Sequence, residues 1–232
     1  MAEVSEKQET SFDVEETMGK AELFFEQNKK MIGYVGGAIA ILVTVIIAYK
    51  MWYIPEQNKE AQAQMYMAQS LFDKDSLTLA LKGGNYNATT FTGLEEVAEN
   101  YGSTPSGKVA EYMVGITLLQ QGKYQDAIDH LENFSSNDVM LSVVAIGAIG
   151  DAKMELNEVD EAIKFYQKAA DKNANTFTTP IYLKKAALAY ESKNEYADAL
   201  KLYERIQVEY PKSTEARDVE KYIQRVKTLG NL

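Results

Sequence analysis

The sequence predicts an all-α protein in which a single N-terminal transmembrane helix is followed by a solenoid of helical hairpins. Three observations lead to this prediction: an uncharged apolar run near the N-terminus, a hairpin-sized motif that recurs three times, and only 4 Pro and 14 Gly among 232 residues. The scarcity of turn formers argues against an all-β chain, and 46% hydrophobic with 25% charged residues argues against disorder. At this length we expect one folded domain with accessory segments.

The apolar run predicts a membrane span over residues 31–54. Residues 31–49 carry no charge, and 19 residues at a rise of about 1.5 Å each come close to the thickness of a hydrocarbon core. Lys50 and Trp52 suit the interface that follows, and Pro55 is expected to end or kink the helix. A cleavable signal peptide is disfavoured because the residues before the run include eight acidic ones.

Basic residues near the span favour one orientation. Lys20, Lys29 and Lys30 precede the span, whereas Lys50 and Lys59 follow it. Because Lys and Arg accumulate on the cytoplasmic side, this bias predicts a cytoplasmic N-terminus and a C-terminal domain outside.

The segments on either side of the span are less regular. Residues 1–30 form an acidic N-terminal tail, in which residues 20–30 fit either a short amphipathic helix at the membrane surface or an unstructured lead-in. Residues 55–107 are expected to form a leading irregular helical pair. Its first helix is predicted over Lys59–Lys82 from apolar residues at three- to four-residue spacing, and a turn at Gly83-Gly84-Asn85 ends it.

Three stretches of the chain align with one another at a period of 35 to 37 residues. Each has a turn residue, an apolar residue two positions later, a small alanine and then a large apolar residue. The alanines are Ala127, Ala162 and Ala199. Because a small residue lets two helices approach closely, the glycines or alanine upstream should complete the contact from the first helix of each pair. These upstream residues are Gly115, Gly150 and Ala187.

This pattern resembles the tetratricopeptide repeat (TPR), a helical hairpin of about 34 residues. The chain departs from that pattern because it has no signature Trp in the repeats and only the last repeat has the closing proline, Pro211. The resemblance implies three repeats over residues 108–212. Residues 213–232 are then predicted to form a C-terminal capping helix that begins at an N-cap Ser213, since a repeat stack must cover its terminal apolar face.

The sequence contains no constellation typical of catalysis or metal binding. There are no cysteines, and the single histidine, His130, lacks ligand spacing. A net charge of -10 disfavours nucleic acid, and no glycine loop has the context of a phosphate site. We therefore expect no enzyme activity, no cofactor, no metal and no small-molecule substrate.

The TPR resemblance implies a concave groove lined by the first helix of each repeat. In this chain the candidate protein-binding residues are Tyr112, Ile116, Leu119, Asp151, Met154, Lys184, Leu188 and Glu191. The set is mostly apolar, so it would suit an apolar segment of another protein. Two alternatives stay open: the groove is exposed, or it is covered by either the leading helix or the capping helix.

The arrangement of the segments is similar to that of the YfgM-like inner-membrane proteins of bacteria. Residues 100–107 (NYGSTPSG) and 177–183 (FTTPIYL) look like the versions found in Bacteroidota. This resemblance implies an inner-membrane protein with a periplasmic domain that acts as a scaffold or chaperone-like adaptor beside the Sec translocon. The implied partners are Sec translocon subunits, a membrane-tethered periplasmic chaperone or exported clients. The alternative is a structural subunit of another cell-envelope assembly.

Overall fold

A computed structural model describes residues 14–74, 76–136 and 138–232, and the chain divides after Tyr53 into two compact units. The first 13 residues of the predicted acidic tail lie outside the described residues. The part of the chain that the structure describes is nearly all helical, as predicted, with one two-stranded sheet.

The first unit is built on one long helix. Helix α1 runs Val14–Ala48, and a π-helical turn over Tyr49–Tyr53 follows it. The helix continues through residues 20–30, so this segment is neither a separate short helix nor an unstructured lead-in. The apolar part of the helical run is long enough to cross a membrane, and none of its most apolar stretch is buried within the protein.

Pro55 does not end the helix. It is the second residue of helix α2, which runs Ile54–Phe72. Proline is tolerated in the first turn of an α-helix, where its missing N–H needs no intrahelical acceptor. The backbone instead changes from π-helical to α-helical directly before it.

The leading pair is more complex than one helical hairpin. The predicted helix over Lys59–Lys82 is wrong, because α2 ends at Phe72 and a separate helix α3 covers Leu77–Lys82. The reversal between them is closed by the Ser76 N–H, which donates to the Leu71 carbonyl at 2.9 Å. Helix α4, Leu94–Tyr101, then packs against both α2 and the next helix, as the second helix of a pair should.

A β-hairpin stands where the sequence predicted only a turn. Strands β1, Gly83–Tyr86, and β2, Thr89–Thr92, pair antiparallel with Tyr86 opposite Thr89. The two residues between them, Asn87 and Ala88, both have positive φ, at 48° and 63°. Two positive φ values define the tight turn that matches the twist of a hairpin.

The three predicted repeats form three helical hairpins in succession. Their helices are α5 (Pro105–Gln120), α6 (Tyr124–Asn133), α7 (Val139–Glu155), α8 (Val159–Lys172), α9 (Thr178–Ser192) and α10 (Tyr196–Glu209). The three alanines of the motif are fully buried. A Cβ added at Gly115 would lie 2.6 Å from Leu131, and one at Gly150 would lie 2.6 Å from Tyr166. The predicted close contact is therefore confirmed for the first two pairs, and in the third pair Ala187 is fully buried.

The turn inside each hairpin uses the left-handed backbone conformation. Gly122, Asn157 and Asn194 have φ of 75°, 60° and 61°. Glycine and asparagine are the residues that adopt this conformation at least cost, which explains why one of them follows each first helix.

The C-terminal helix has the position of a first helix in a further repeat. Helix α11 runs Val219–Gly230 and ends at Asn231, which has φ of 51° and follows Asn194 by 37 residues. The position equivalent to Gly150 and Ala187 holds Gln224, which is exposed. A polar residue there is what a capping helix requires. Ser213 does not cap α11, whose N-cap is Asp218. The Ser213 hydroxyl instead accepts from the Ala216 N–H at 3.1 Å, in a short 3-10 turn over Glu215–Arg217.

Candidate protein-binding surfaces

The predicted groove residues of the first repeat lie against the second repeat. Tyr112, Ile116 and Leu119 are partly buried, and they pack on a core cluster that includes Ala145 and Ile149 of α7. The ring of Tyr112 also lies 5.4 Å from the ring of Phe134, centroid to centroid.

The groove residues of the second repeat differ in character. Asp151 accepts hydrogen bonds from Lys185 Nζ at 2.6 Å and from the Tyr166 hydroxyl at 2.8 Å. Burial raises the pKa of Tyr166 well above its usual range, and the negative charge of Asp151 raises it further. Met154 is partly buried against the core of the second and third repeats.

The polar groove residues of the third repeat are engaged by the capping helix. Lys184 pairs with Asp218 at 3.4 Å. Glu191 accepts from Arg225 at 2.6 Å and from the Tyr203 hydroxyl at 2.6 Å. Burial, followed by the hydrogen bond to Glu191, raises the pKa of Tyr203 above its usual range.

The eight predicted residues therefore fall into three groups, one at each junction between first helices. Their charged members contact residues of this chain, and α11 covers Lys184 and Glu191. Leu188 is the most open apolar member, with 41% of its surface exposed. A role for these residues in binding stays a prediction.

A second surface was missed by the sequence analysis. A cavity of about 460 Å³ opens between α6, α7 and α8, and we call it the inter-repeat pocket. Twelve residues line it. We call the six apolar ones the base and the six polar ones the rim: Leu131, Phe134, Ala145, Ile146, Ile149 and Phe165 form the base, and Glu132, Ser135, Ser136, Ser142, Lys168 and Lys172 form the rim.

The inter-repeat pocket exists because one helix is short. Helix α6 has 10 residues, whereas the equivalent helices α8 and α10 have 14. The chain leaves α6 at Phe134 in an extended conformation, so the last helical turn that would fill the junction is absent. The signal in the sequence was Ser135, which stands at the repeat position of the buried Ala170 in α8. An alanine is suited to a packed helix end and a serine to a loop.

Two of the six rim residues are lysines, and a third lysine lies close to the rim. Lys168 Nζ lies 5.6 Å from the centroid of the Phe165 ring. Lys108 approaches from α5 and donates to the Ser135 hydroxyl at 3.2 Å. In the described part of the chain, neither Lys168 nor Lys172 forms an ion pair, whereas their neighbour Lys164 pairs with Glu161 at 2.7 Å.

Metal-binding groups are not evident at either surface. Among the described residues, no three His, Asp or Glu side chains are placed to hold a metal ion. His130 Nδ1 lies 3.0 Å from Glu111 Oε1, which is a contact between the two helices of the first repeat.

Comparison with known proteins identifies the family of the second unit. Residues 58–223 match the family described as "T7SS, ESX-1 secretion system protein EccA1, N-terminal domain". The chain belongs to this family. No curated protein matches the chain.

Solved structures share the fold at low sequence identity. The crystal structure of a point variant described as "Podosopora anserina putative kinesin light chain nearly identical TPR-like repeats" is 15% identical, with a TM-score of 0.53. The alignment covers 74% of this chain and 87% of that one. A second structure of those repeats is 14% identical with the same TM-score and the same coverage. The TPR-like fold is therefore shown for this chain.

Proposed function

We propose that this protein is a membrane-anchored adaptor that binds other proteins through its TPR-like repeats and assists protein export. The observation that supports this most strongly is the pairing of two exposed features within one chain. One is an apolar helix whose most apolar stretch is unburied, and the other is a repeat stack with open apolar positions such as Leu188. The apolar helix needs a cover that the described residues do not supply, and the open groove positions offer apolar contacts to a protein partner.

The chemistry of the repeat unit favours binding over catalysis. The charged groove residues are engaged within the chain: Asp151 pairs with Lys185 of the next first helix, and Lys184 and Glu191 pair with Asp218 and Arg225 at the capping helix. Such pairs hold helices in register and leave apolar surface for a partner. We propose that the protein has no catalytic activity of its own.

Protein export is supported from two directions. The family of residues 58–223 is named after a secretion-system protein. The YfgM-like arrangement of the segments separately implies an ancillary subunit of the Sec translocon, with translocon subunits, a membrane-tethered chaperone or exported clients as partners. We propose the Sec translocon as the site of action.

The proposed orientation places the N-terminus in the cytoplasm and the repeats in the periplasm, across the bacterial inner membrane. A C-terminal fusion to a reporter enzyme that is active only outside the cytoplasm tests this directly. We expect an active fusion, and an inactive one with the reporter present at normal level would overturn the localisation.

Cross-linking tests the partner. Affinity purification of the tagged full-length protein after cross-linking in cells should recover translocon subunits. Recovery of an intact tagged protein with no translocon subunit would contradict the Sec assignment.

A structural subunit of another cell-envelope assembly is the second candidate. It is favoured by the pairing of Lys184 with Asp218 and of Glu191 with Arg225, because groove residues that are already paired are less available to transient clients. A permanent subunit has one fixed partner and should not bind unfolded model peptides. Binding of such peptides by the full-length protein would favour the adaptor, and their exclusion would favour the structural subunit.

A further inference from the structure

Two equivalent junctions between second helices differ in one ion pair. At the junction of the second and third repeats, Arg205 of α10 pairs with Asp171 of α8 at 3.3 Å. One repeat earlier, Lys168 occupies the position equivalent to Arg205, and Ser136 occupies the position equivalent to Asp171. The cation is kept at the earlier junction, whereas its carboxylate is replaced by a serine.

The earlier junction is also the one that is open. Lys168 and Ser136 both line the inter-repeat pocket, next to the apolar base formed by side chains such as Phe134 and Phe165. Ligand pockets of about 300–1,000 Å³ that combine an apolar lining with a few polar groups are typical binding sites, and this pocket falls within that range. A ligand could therefore supply both an apolar group and the missing carboxylate.

We propose that the inter-repeat pocket binds an extended segment of a partner protein that inserts an aromatic side chain and places flanking carboxylates against Lys168 and Lys172. The aromatic ring fills the apolar base, and a carboxylate takes the place that Asp171 has at the next junction. This inference rests on the proposed function, because it names the chemistry of a protein partner.

The charge of the pocket favours an acidic partner over a basic one. The chain as a whole carries a net charge of -10, yet two lysines line this pocket and Glu132 is the one acidic residue of its lining. Complementary charge speeds encounter and rejects partners of like charge. An acidic segment that other surfaces of this protein repel would be accepted here.

Peptide binding to the full-length protein in phosphatidylcholine nanodiscs tests the inference. The probe is a fluorescein-labelled peptide, Gly-Ser-Glu-Phe-Glu-Glu-Ser-Gly. One twin has lysine in place of each glutamate, and another has alanine in place of phenylalanine. Fluorescence anisotropy gives the Kd for each peptide.

The variants separate this site from the rest of the protein. K168E/K172E reverses the charge at the rim through two exposed side chains. K164E/K201E makes the same change in net charge at lysines outside the pocket lining. L188D alters the predicted groove and leaves the pocket intact.

We expect the acidic phenylalanine peptide to bind about tenfold more tightly than either twin. That preference should disappear in K168E/K172E and persist in K164E/K201E and L188D. Equal binding of the three peptides, or no saturable binding, would overturn the inference. It would also be overturned if K168E/K172E left peptide binding unchanged and weakened only the binding of the protein to anionic phosphatidylglycerol nanodiscs, since the lysines would then bind lipid.

Failure here is distinguishable from failure of the proposed function. If peptides do not bind but cross-linking in cells still recovers translocon subunits, only the pocket assignment is lost.

Discussion

The three regular repeats and the leading pair bring their elements into close contact in different ways. In the regular repeats, α5 to α10, a small residue on one helix receives a large side chain from the other, as Gly150 receives Tyr166. In the leading pair, α3 and the β-hairpin are inserted between α2 and α4, and the close approach is between backbones at Gly83 and Gly93. A helical hairpin thus tolerates a large insertion, provided that glycine permits close approach somewhere else.

The largest expected effect comes from filling the contact in a regular repeat. Gly150→Val adds a branched side chain at a position where even an added Cβ would lie 2.6 Å from the Tyr166 ring. We expect a loss of about 3 kcal/mol in the free energy of unfolding, because a packed interior cannot accommodate the added volume. Urea unfolding of the full-length protein in detergent, followed by circular dichroism, measures this loss.

Gln224→Val is the matched control for Gly150→Val. Gln224 has the same repeat position in α11, but it is exposed and faces no second helix in the described part of the chain. Its replacement should change the free energy of unfolding by less than about 0.5 kcal/mol. Equal effects at the two positions would contradict the assignment of α11 as a cap.

A smaller loss is expected at the close approach in the leading pair. A Cβ at Gly93 would overlap the backbone of Gly83 and Leu81, and backbone cannot move aside as a flexible side chain can. Gly93→Ala should therefore cost about 2 kcal/mol of unfolding free energy in the same assay. Gly102→Ala is a control in the next loop, since its nearest contact is a single carbonyl oxygen at 2.9 Å. A cost at Gly93 no greater than at Gly102 would count against this account of the hairpin.

The turn of the hairpin should be open to improvement. Ala88 has φ of 63°, a conformation that an L-alanine adopts at a cost and glycine adopts freely. We expect Ala88→Gly to raise the free energy of unfolding by about 0.5 kcal/mol. Ala63→Gly, at an exposed position of α2, should lower it by about 1 kcal/mol. Destabilisation by both changes would contradict the turn geometry.

The smallest effect is a pH dependence at the cap. The hydrogen bond from Lys221 and the charge of Lys184 hold the pKa of Asp218 below its usual range. A lowered carboxyl pKa contributes stability above the ordinary carboxyl pKa, and this stability is lost as the pH falls through the lowered value. The difference in Tm between the native protein and Asp218→Asn should therefore shrink when the pH is lowered from neutral towards that value. A difference that stays constant would contradict the contribution of this ion pair.

The sequence was sufficient for the regular repeats because their signal is physical and periodic. Ala127, Ala162 and Ala199 recur at one helix face, and each is buried where the motif predicts. The hairpin was missed because Asn87-Ala88 lacks the glycine that usually marks such a turn. The break after Phe72 was missed because the apolar spacing continues across it into α3.

The candidate sites were harder to predict than the fold. Groove positions such as Lys184 and Glu191 were assigned from repeat geometry, which does not show that α11 supplies their partners. The inter-repeat pocket depends on where α6 ends, and helix ends are the least certain feature of a sequence-based prediction. The exchange of Asp171 for Ser136 becomes informative only when the two junctions are compared in space.

Photo-cross-linking at equivalent positions tests the central claim most directly. The photoreactive amino acid p-benzoylphenylalanine is placed at Lys172, in the rim of the pocket, and in a second strain at Glu209, which has the same repeat position in α10 and is exposed. If the repeats form an export adaptor that binds partners at the inter-repeat pocket, irradiation of intact cells should give adducts with translocon subunits or exported polypeptides from position 172. Position 209 should give none. Equal adducts from both positions, or none from 172, would contradict the account.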